Sequence, residues 1–244
     1  MTILFWDIDG TLITTGRAGM IAWNDAVLEV TGRDFDLKTA LRTAGFTDMQ
    51  IAVRTFEVLG LPVEDATVRR LVTRYEEMLP AALPQRQGRV LDNVREILEH
   101  LARTRPDVRS LLLTGNTRAG ARAKLTYYDL MHFFADGAFC EDTGERAGIA
   151  RRGLALAQRT GAVNADSVFV IGDTPHDIEC ARAIDARTIA VATGGYALDE
   201  LMTHQPWQAC EMLAPPEEFV RLIDSARDAP GATAGAGARG PARG

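Results

Sequence analysis

Three short apolar runs, each followed at once by polar residues and then by a helical pattern, constrain the fold of this chain most. They cover residues 3–6, 108–113 and 167–171. Apolar runs of this length that end at glycine or polar residues are typical of buried strands. Strands that alternate with helices form a parallel sheet, and such sheets bind ligands at the carboxyl ends of their strands. The sequence therefore predicts an α/β fold whose polar strand ends meet at one edge of the sheet.

Two carboxylates follow the first run, in the sequence Asp7-Ile8-Asp9-Gly10-Thr11. Because side chains alternate along a strand, Asp7 and Asp9 are expected to point the same way. Crowded carboxylates repel each other unless a cation or a shared proton relieves them, and Mg²⁺ accepts carboxylate and phosphate oxygens as ligands. The other interpretation is a turn in which both aspartates bond main-chain amides.

Residues 14–88 show helical patterns, with amphipathic stretches near 18–31, 47–60 and 65–82, and no convincing strand. From residue 89 onward helix and strand alternate. The predicted helices lie at 91–104, 118–127, 146–160 and 175–185, and the predicted strands at 108–113, 167–171 and 187–192. A helical block inserted after the first strand predicts a second module on a parallel-sheet core.

The net charge of −6 argues against non-specific binding to nucleic acid. No apolar run is long enough to span a bilayer and no signal-peptide pattern opens the chain, so we expect a cytoplasmic protein without a membrane partner. Cys140, Cys180 and Cys210 are widely spaced and are expected to be free thiols. Residues 229–244 are nearly all Ala, Gly, Pro and Arg, which predicts a disordered tail to which we assign no function.

Polar residues also follow the second and third runs. Thr114-Gly115-Asn116 ends the second, Lys124 lies in the next helical stretch, and Gly172-Asp173 ends the third, with Asp177 beyond it. Together with the first motif these residues resemble the four motifs of the haloacid dehalogenase-like hydrolases, and most closely the phosphoglycolate-phosphatase-like branch with a helical cap. The resemblance covers about residues 1–225. It implies a Rossmann-like core of residues 1–13 and 89–228 and an all-helical cap of residues 14–88.

The resemblance also implies a chemistry, which is the Mg²⁺-dependent hydrolysis of a small phosphomonoester through an aspartyl-phosphate. Asp7 would be the nucleophile, and Asp9 would protonate the leaving oxygen and then deprotonate the attacking water. The implied Mg²⁺ ligands are Asp7, the main-chain carbonyl of Asp9, and Asp173. Asp177 would be a direct or water-mediated ligand, or would orient Lys124.

Thr114 and Lys124 are implied to act in catalysis by binding the transferring phosphoryl oxygens, together with the main-chain amides of Gly115 and Asn116. Taken by its residue type, Thr114 also fits a helix cap or a turn hydroxyl, and Lys124 fits a surface lysine, although Lys38 is the only other lysine in the chain. Asp177 fits equally an acid in the first turn of a helix.

Three loop positions keep two interpretations each. Arg17 is a surface charge near the hinge, or it binds substrate by pairing with a second anionic group. Thr47-Asp48 begins a helix, or belongs to a loop that contacts substrate. His176 is an exposed residue at a helix start, or a substrate contact.

Four other functions are compatible with parts of this pattern. A dehalogenase lacks the second aspartate that Asp9 provides. A phosphonate hydrolase needs a cap lysine, and the only candidate, Lys38, lies in an ordinary helix-start context that disfavours this role. A phosphoryl mutase shares the aspartate pair, although Thr11 favours hydrolysis. A non-catalytic binding module is disfavoured by the intact set of motif residues. The preferred prediction is a phosphatase, monomeric or homodimeric, whose partner is a phosphoglycolate-like or sugar-phosphate metabolite.

Overall fold

The computed structural model describes residues 1–142, 144–159, 161 and 163–228 and shows an α/β fold. In these ranges the strands are β1 (Thr2–Trp6), β2 (Ile13–Thr14), β3 (Arg89–Val90), β4 (Val108–Leu113), β5 (Gly137–Ala138), β6 (Val168–Gly172), β7 (Arg187–Val191) and β8 (Gln208–Cys210). The helices are α1 (Ala18–Thr31), α2 (Leu37–Ala40), α3 (Asp48–Val58), α4 (Asp65–Ala82), α5 (Val94–Thr104), α6 (Arg118–Tyr127), α7 (Arg146–Gln158), α8 (Pro175–Arg182), α9 (Leu198–Thr203) and α10 (Pro216–Asp228). The tail predicted to be disordered, 229–244, lies outside the described residues.

The main sheet is parallel, with the strand order β5-β4-β1-β6-β7-β8. Strand β1 lies at its centre and is buried on both faces. Ile3 and Phe5 pack on the face covered by α7 and α8, whereas Leu4 and Trp6 pack on the other face, where the Trp6 ring stacks on Phe219 of α10 at 5.7 Å. Burial on both faces explains why this strand reads as a continuous apolar run.

A helical segment, α1 to α4, follows β1 and its loop. Its core includes the ring contact of Trp23 with Tyr75 at 5.0 Å, and the Trp23 indole N–H donates to the Thr55 hydroxyl at 3.1 Å. The two ends of the segment are joined by the antiparallel pair β2–β3, in which Thr14 pairs with Arg89. Thr14 is thus in a strand, although helix alone was predicted from residue 14. The division into a cap of 14–88 and a core of 1–13 and 89–228 stays a proposal.

The predicted helices and strands are present, with ends that differ by a few residues. Helix α5 begins at Val94 rather than 91 because Asn93 adopts a left-handed backbone conformation, with φ 64°. Helix α8 ends at Arg182 rather than 185, and Asp185 has φ 54°. Strands β5 and β8 were not predicted, since two or three residues are too short to show a periodicity.

In the described ranges, no helix is both long enough and apolar enough to cross a membrane. The prediction of free thiols is confirmed for Cys140, Cys180 and Cys210.

Candidate active site

Three neighbouring strands deliver the predicted polar residues to one edge of the sheet. Asp7 follows β1, Thr114 follows β4 and Asp173 follows β6, and these strands are adjacent in the order β4-β1-β6. All three residues are buried and line a cavity of about 400 Å³ between the sheet edge and the helical segment. The sequence prediction that the strand ends meet at one site is confirmed.

Three buried carboxylates form an acidic cluster, Asp7, Asp173 and Asp177, whose nearest oxygens lie within 4.8 Å of one another. Asp177 is in the first turn of α8 and accepts hydrogen bonds from the Thr174 main-chain N–H at 3.0 Å and the Thr174 hydroxyl at 2.7 Å. Burial, reinforced by the Asp177 charge, raises the pKa of Asp7 to about 7. Burial and the Asp7 charge likewise raise the pKa of Asp173 well above its ordinary value.

Glycines make room for this cluster. Gly10 has φ +87°, and a Cβ there would lie 2.5 Å from an Asp173 carboxylate oxygen. A Cβ on Gly172 would lie 2.2 Å from the Asp177 carboxyl carbon. Both positions therefore require glycine. Carboxylates held this close in a buried site suit a hard cation with oxygen ligands, so the donor set fits Mg²⁺.

Arg146, the first residue of α7, enters the acidic cluster and was missed by the sequence prediction. Its Nη2 donates to Asp177 Oδ1 at 2.7 Å and to Asp7 Oδ1 at 3.2 Å, and its side chain is 8% exposed. Burial lowers the pKa of Arg146, but Asp177 and Asp7 raise it above its ordinary value, so the guanidinium stays charged. No sequence signal distinguished Arg146, because arginine supplies nearly all of the chain's positive charge.

A second cluster surrounds Asp9, whose side chain is 43% exposed. Lys124 Nζ donates to Asp9 Oδ2 at 2.6 Å and to Asn116 Oδ1 at 2.5 Å, and Asn116 Nδ2 donates to Asp9 Oδ2 at 2.9 Å. Lys124 is buried, which excludes the interpretation as a surface lysine. The alternative that Asp177 orients Lys124 is also wrong, because Asp177 bonds Arg146 and Thr174 instead.

Thr114 lies between the two clusters. Its hydroxyl oxygen accepts hydrogen bonds from the Asn116 main-chain N–H at 3.2 Å and from Asn116 Nδ2 at 2.9 Å, and its hydrogen bond to Asp7 lowers the pKa of that carboxyl. The cap of α6 is Thr117, which excludes Thr114 as the helix cap.

The helical segment contacts the strand ends through the start of α3. Asp48 Oδ2 accepts the Thr117 main-chain N–H at 2.8 Å, and the Asp48 N–H donates to the Gly115 carbonyl at 2.9 Å. A Cβ on Gly115 would lie 2.9 Å from the Phe46 carbonyl oxygen, so glycine permits this approach. Burial raises the pKa of Asp48 to about 6, against the opposing effect of Lys124.

The loop residues with two predicted interpretations, Arg17, Thr47 and His176, differ in their exposure and contacts. Arg17 is exposed at the edge of the cavity and has a left-handed backbone, with φ 73°. Thr47 caps α3 reciprocally with Gln50, which confirms its interpretation as a helix start. His176 lies 3.2 Å from Glu179, and its ring is 6.1 Å from the ring of Phe46.

The family model described as "Haloacid dehalogenase-like hydrolase" matches residues 3–191, which hold both clusters. The chain belongs to the haloacid dehalogenase-like hydrolases. A curated relative, "Probable phosphatase IndB" from Dickeya dadantii (strain 3937), is 27% identical over 206 residues, which are 84% of this chain and 86% of the relative.

Solved structures share the fold over nearly the whole chain. A hydrolase from Pseudomonas syringae has a TM-score of 0.69 at 20% identity, over 92% of this chain and 99% of that one. A protein described as a predicted phosphoglycolate phosphatase, from Haemophilus somnus 129pt, has a TM-score of 0.69 at 15% identity, over 91% of this chain and 97% of that one.

Proposed function

We propose that this hydrolase is a Mg²⁺-dependent phosphatase that cleaves a small phosphomonoester through an aspartyl-phosphate on Asp7. The observation that carries the proposal is that the carboxylates of Asp7 and Asp9 have different cationic partners. Asp7 lies in a buried acidic cluster with Arg146, whereas Asp9 lies nearby with a lysine of its own. One carboxylate is therefore available for attack on phosphorus and another for proton transfer, which are the two tasks that hydrolysis requires.

The first step breaks the bond between phosphorus and the leaving oxygen. An Asp7 oxygen attacks phosphorus while Asp9 gives its proton to the leaving oxygen. In the second step water attacks the same phosphorus, Asp9 takes a proton from that water, and Asp7 is released as a carboxylate. Both donors to Asp9 reach Oδ2, so we assign proton transfer to Oδ1.

The Thr114 hydroxyl and the main-chain amides of Gly115 and Asn116 are assigned to the transferring phosphoryl oxygens. This assignment is supported by their place in the loop that leads from β4 to α6, at the edge of the cavity. The resemblance implies that Lys124 binds the phosphoryl oxygens directly, but its ammonium group contacts Asp9 and Asn116. We propose that it holds Asp9 in place and adds positive charge near the phosphoryl group.

Asp7, Asp173, Asp177 and the main-chain carbonyl of Asp9 are proposed to hold Mg²⁺. When bound, the ion would neutralise phosphoryl oxygens and the crowded carboxylates. Three carboxylates face one guanidinium in the cluster, so two negative charges are left for a divalent cation when all three are ionised.

The substrate class implied by the resemblance is a phosphoglycolate-like acid or a sugar phosphate, and the curated relative's name supports a phosphatase. Arg17 stays a candidate for pairing with a second anionic group of the substrate. A cytoplasmic location and a monomeric or homodimeric state stay predictions.

The test is phosphate release by the purified protein from a panel of phosphomonoesters, with Mg²⁺ or with EDTA. We expect release that requires Mg²⁺ and that is abolished in Asp7→Asn and in Asp9→Asn. Asp25→Asn, which removes an exposed carboxylate on α1, is the matched control and should keep full activity. Equal release by the wild type and Asp7→Asn, or no release from any ester by folded protein, would contradict the proposal.

A further inference from the structure

The cavity above the carboxylates is larger than a phosphoryl group needs. Its volume of about 400 Å³ lies in the range of pockets that bind organic ligands with many non-hydrogen atoms. A two-carbon acid would fill part of this space and leave the rest to water. The lining of the remaining space therefore indicates which leaving group fits.

The helical segment contributes an apolar wall to this space. Met20 and Trp23 come from α1, Leu37 from α2, Ile51 from α3 and Phe46 from the loop before α3, and all five line the cavity. Trp23, Leu37 and Ile51 are at most 9% exposed. The indole N–H of Trp23 is already bonded to Thr55, so the ring offers apolar surface to a ligand.

Most charged groups of the cavity lie at the sheet edge, opposite the apolar wall. Lys124 and Arg146 are both held by carboxylates at the strand ends. On the side of the helical segment, the charged lining residues that the structure describes are Arg17, which is exposed, and Asp48, which is buried and bonded to Thr117. An anionic leaving group would lose its hydration against apolar side chains and would meet the Asp48 carboxylate.

Most polar groups on that side lie toward the solvent; the exceptions among the described lining residues are Asp48 and the hydroxyl of Tyr75, which is buried and hydrogen-bonded to Lys124. Thr14 is exposed and Thr15 and Thr43 are half-buried, whereas the apolar wall is mostly buried. A leaving group with many hydroxyls would find these partners at the rim and few along the wall. Apolar surface that enters the cavity would instead be removed from water against carbon atoms.

We infer that the leaving group of the substrate is uncharged, at least the size of a six-membered ring, and binds through an apolar part to the wall of Met20, Trp23, Leu37, Phe46 and Ile51. This inference rests on the proposed phosphatase function and replaces the two substrate classes that the resemblance implies, so it leaves Arg17 no anionic group on the leaving group to pair with. It favours phosphate esters of alcohols that carry an aliphatic or aromatic body over a phosphorylated two-carbon acid.

The first test compares n-alkyl phosphates from ethyl to hexyl with 2-phosphoglycolate and glucose 6-phosphate as substrates. The leaving alcohols of the alkyl series have nearly equal basicity, so differences in kcat/KM report binding in the transition state. Burial of each methylene is expected to raise kcat/KM by about fourfold, which gives roughly 250-fold for the four methylenes from ethyl to hexyl. A flat series, or a higher kcat/KM for either polar ester than for hexyl phosphate, would overturn the inference.

Two polar substitutions in the wall test whether it causes the preference for longer alkyl chains. Met20→Gln and Ile51→Thr place polar atoms in the wall and are expected to lower the hexyl-to-ethyl ratio of kcat/KM several-fold. Met202→Gln changes an exposed methionine on α9 and should leave the ratio as in the wild type. An unchanged ratio in both wall variants contradicts binding at this wall.

Calorimetric titration with hexylphosphonate and ethylphosphonate separates this inference from the proposed function, because it needs no turnover. Tighter binding of hexylphosphonate, by a factor similar to that in the kinetic series, supports the apolar wall even if no ester is hydrolysed. Equal dissociation constants for the two phosphonates would refute it even if the protein is an active phosphatase.

Discussion

Replacing Asp7 by asparagine should stabilise the metal-free protein while it removes activity. Asp7 is 5% exposed and shares its site with two other carboxylates. Burial and the Asp177 charge raise its pKa from 3.8 to about 7, although Arg146 and Thr114 oppose the shift. A raised pKa in the folded state means that the contribution of Asp7 to stability is full below pH 4 and is lost as the pH rises through 7. The ionised carboxylate therefore destabilises the fold at alkaline pH.

The expected gain in stability of Asp7→Asn can be calculated from the pKa shift of Asp7. Each pKa unit corresponds to about 1.4 kcal/mol, so a shift of about three units costs the folded state about 4 kcal/mol at pH 8. At pH 5 the cost is less than half of that, because folded Asp7 is still protonated. For a chain of this size a change of 1 kcal/mol moves the melting temperature by about 2–4 °C. Asp7→Asn should therefore melt about 8–16 °C above the wild type at pH 8.

Thermal and urea unfolding in EDTA at pH 5 and pH 8 measure this difference, with Asp25→Asn as a control for the loss of one exposed charge. Addition of Mg²⁺ should then raise the melting temperature of the wild type more than that of Asp7→Asn, because the ion is proposed to bind the folded state through Asp7. The reasoning is refuted if Asp7→Asn is no more stable than the wild type at pH 8, or if its gain is the same at both pH values.

Three other changes test the two clusters and the contact with the helical segment. Arg146→Met should lower the free energy of unfolding in EDTA by about 3–5 kcal/mol, since it leaves buried carboxylates without a cation. Arg151→Met, on the exposed side of α7, should change it by less than about 0.5 kcal/mol in the same urea titration. Lys124→Met should lower kcat by about 100-fold or more through Asp9, and an effect on KM alone would contradict that role. Asp48→Ala should cost about 1–3 kcal/mol and speed amide exchange at the start of α6, whereas Asp48→Asn, which keeps an acceptor oxygen, should cost less.

The parallel sheet and the position of the site could be predicted because the signals were local. Strands β1 and β6 and the last three residues of β4 are buried, so each of these is a short apolar run, and the polar residues follow directly in the chain. The rule that parallel strands bring their carboxyl ends to one edge then placed Asp7, Thr114 and Asp173 together without any knowledge of their contacts.

The charge partners could not be predicted, because they depend on contacts between distant parts of the chain. Arg146 is 139 residues from Asp7, and nothing in its neighbourhood distinguishes it from other arginines at helix starts. Lys124 was identified, but its partner was not, since its contact with Asp9 spans 115 residues. The contact of Asp48 with Thr117 likewise requires the tertiary arrangement of α3 against the β4–α6 loop.

The alternation of side chains along a strand predicted that Asp7 and Asp9 point the same way, but it did not predict that they bond different cations. Asp7 and Asp9 both line the cavity, yet one carboxylate bonds Arg146 and the other bonds Lys124. Strand β1 ends at Trp6, and the turn that follows, with Gly10 donating its N–H to the Ile13 carbonyl at 2.8 Å, carries Asp9 away from the acidic cluster. In the proposed mechanism this divergence gives the nucleophile Asp7 and the proton donor Asp9 different cationic partners. In that mechanism the Lys124 ammonium would stabilise the carboxylate that Asp9 becomes once it has given its proton, while the negative charge on Asp7 falls.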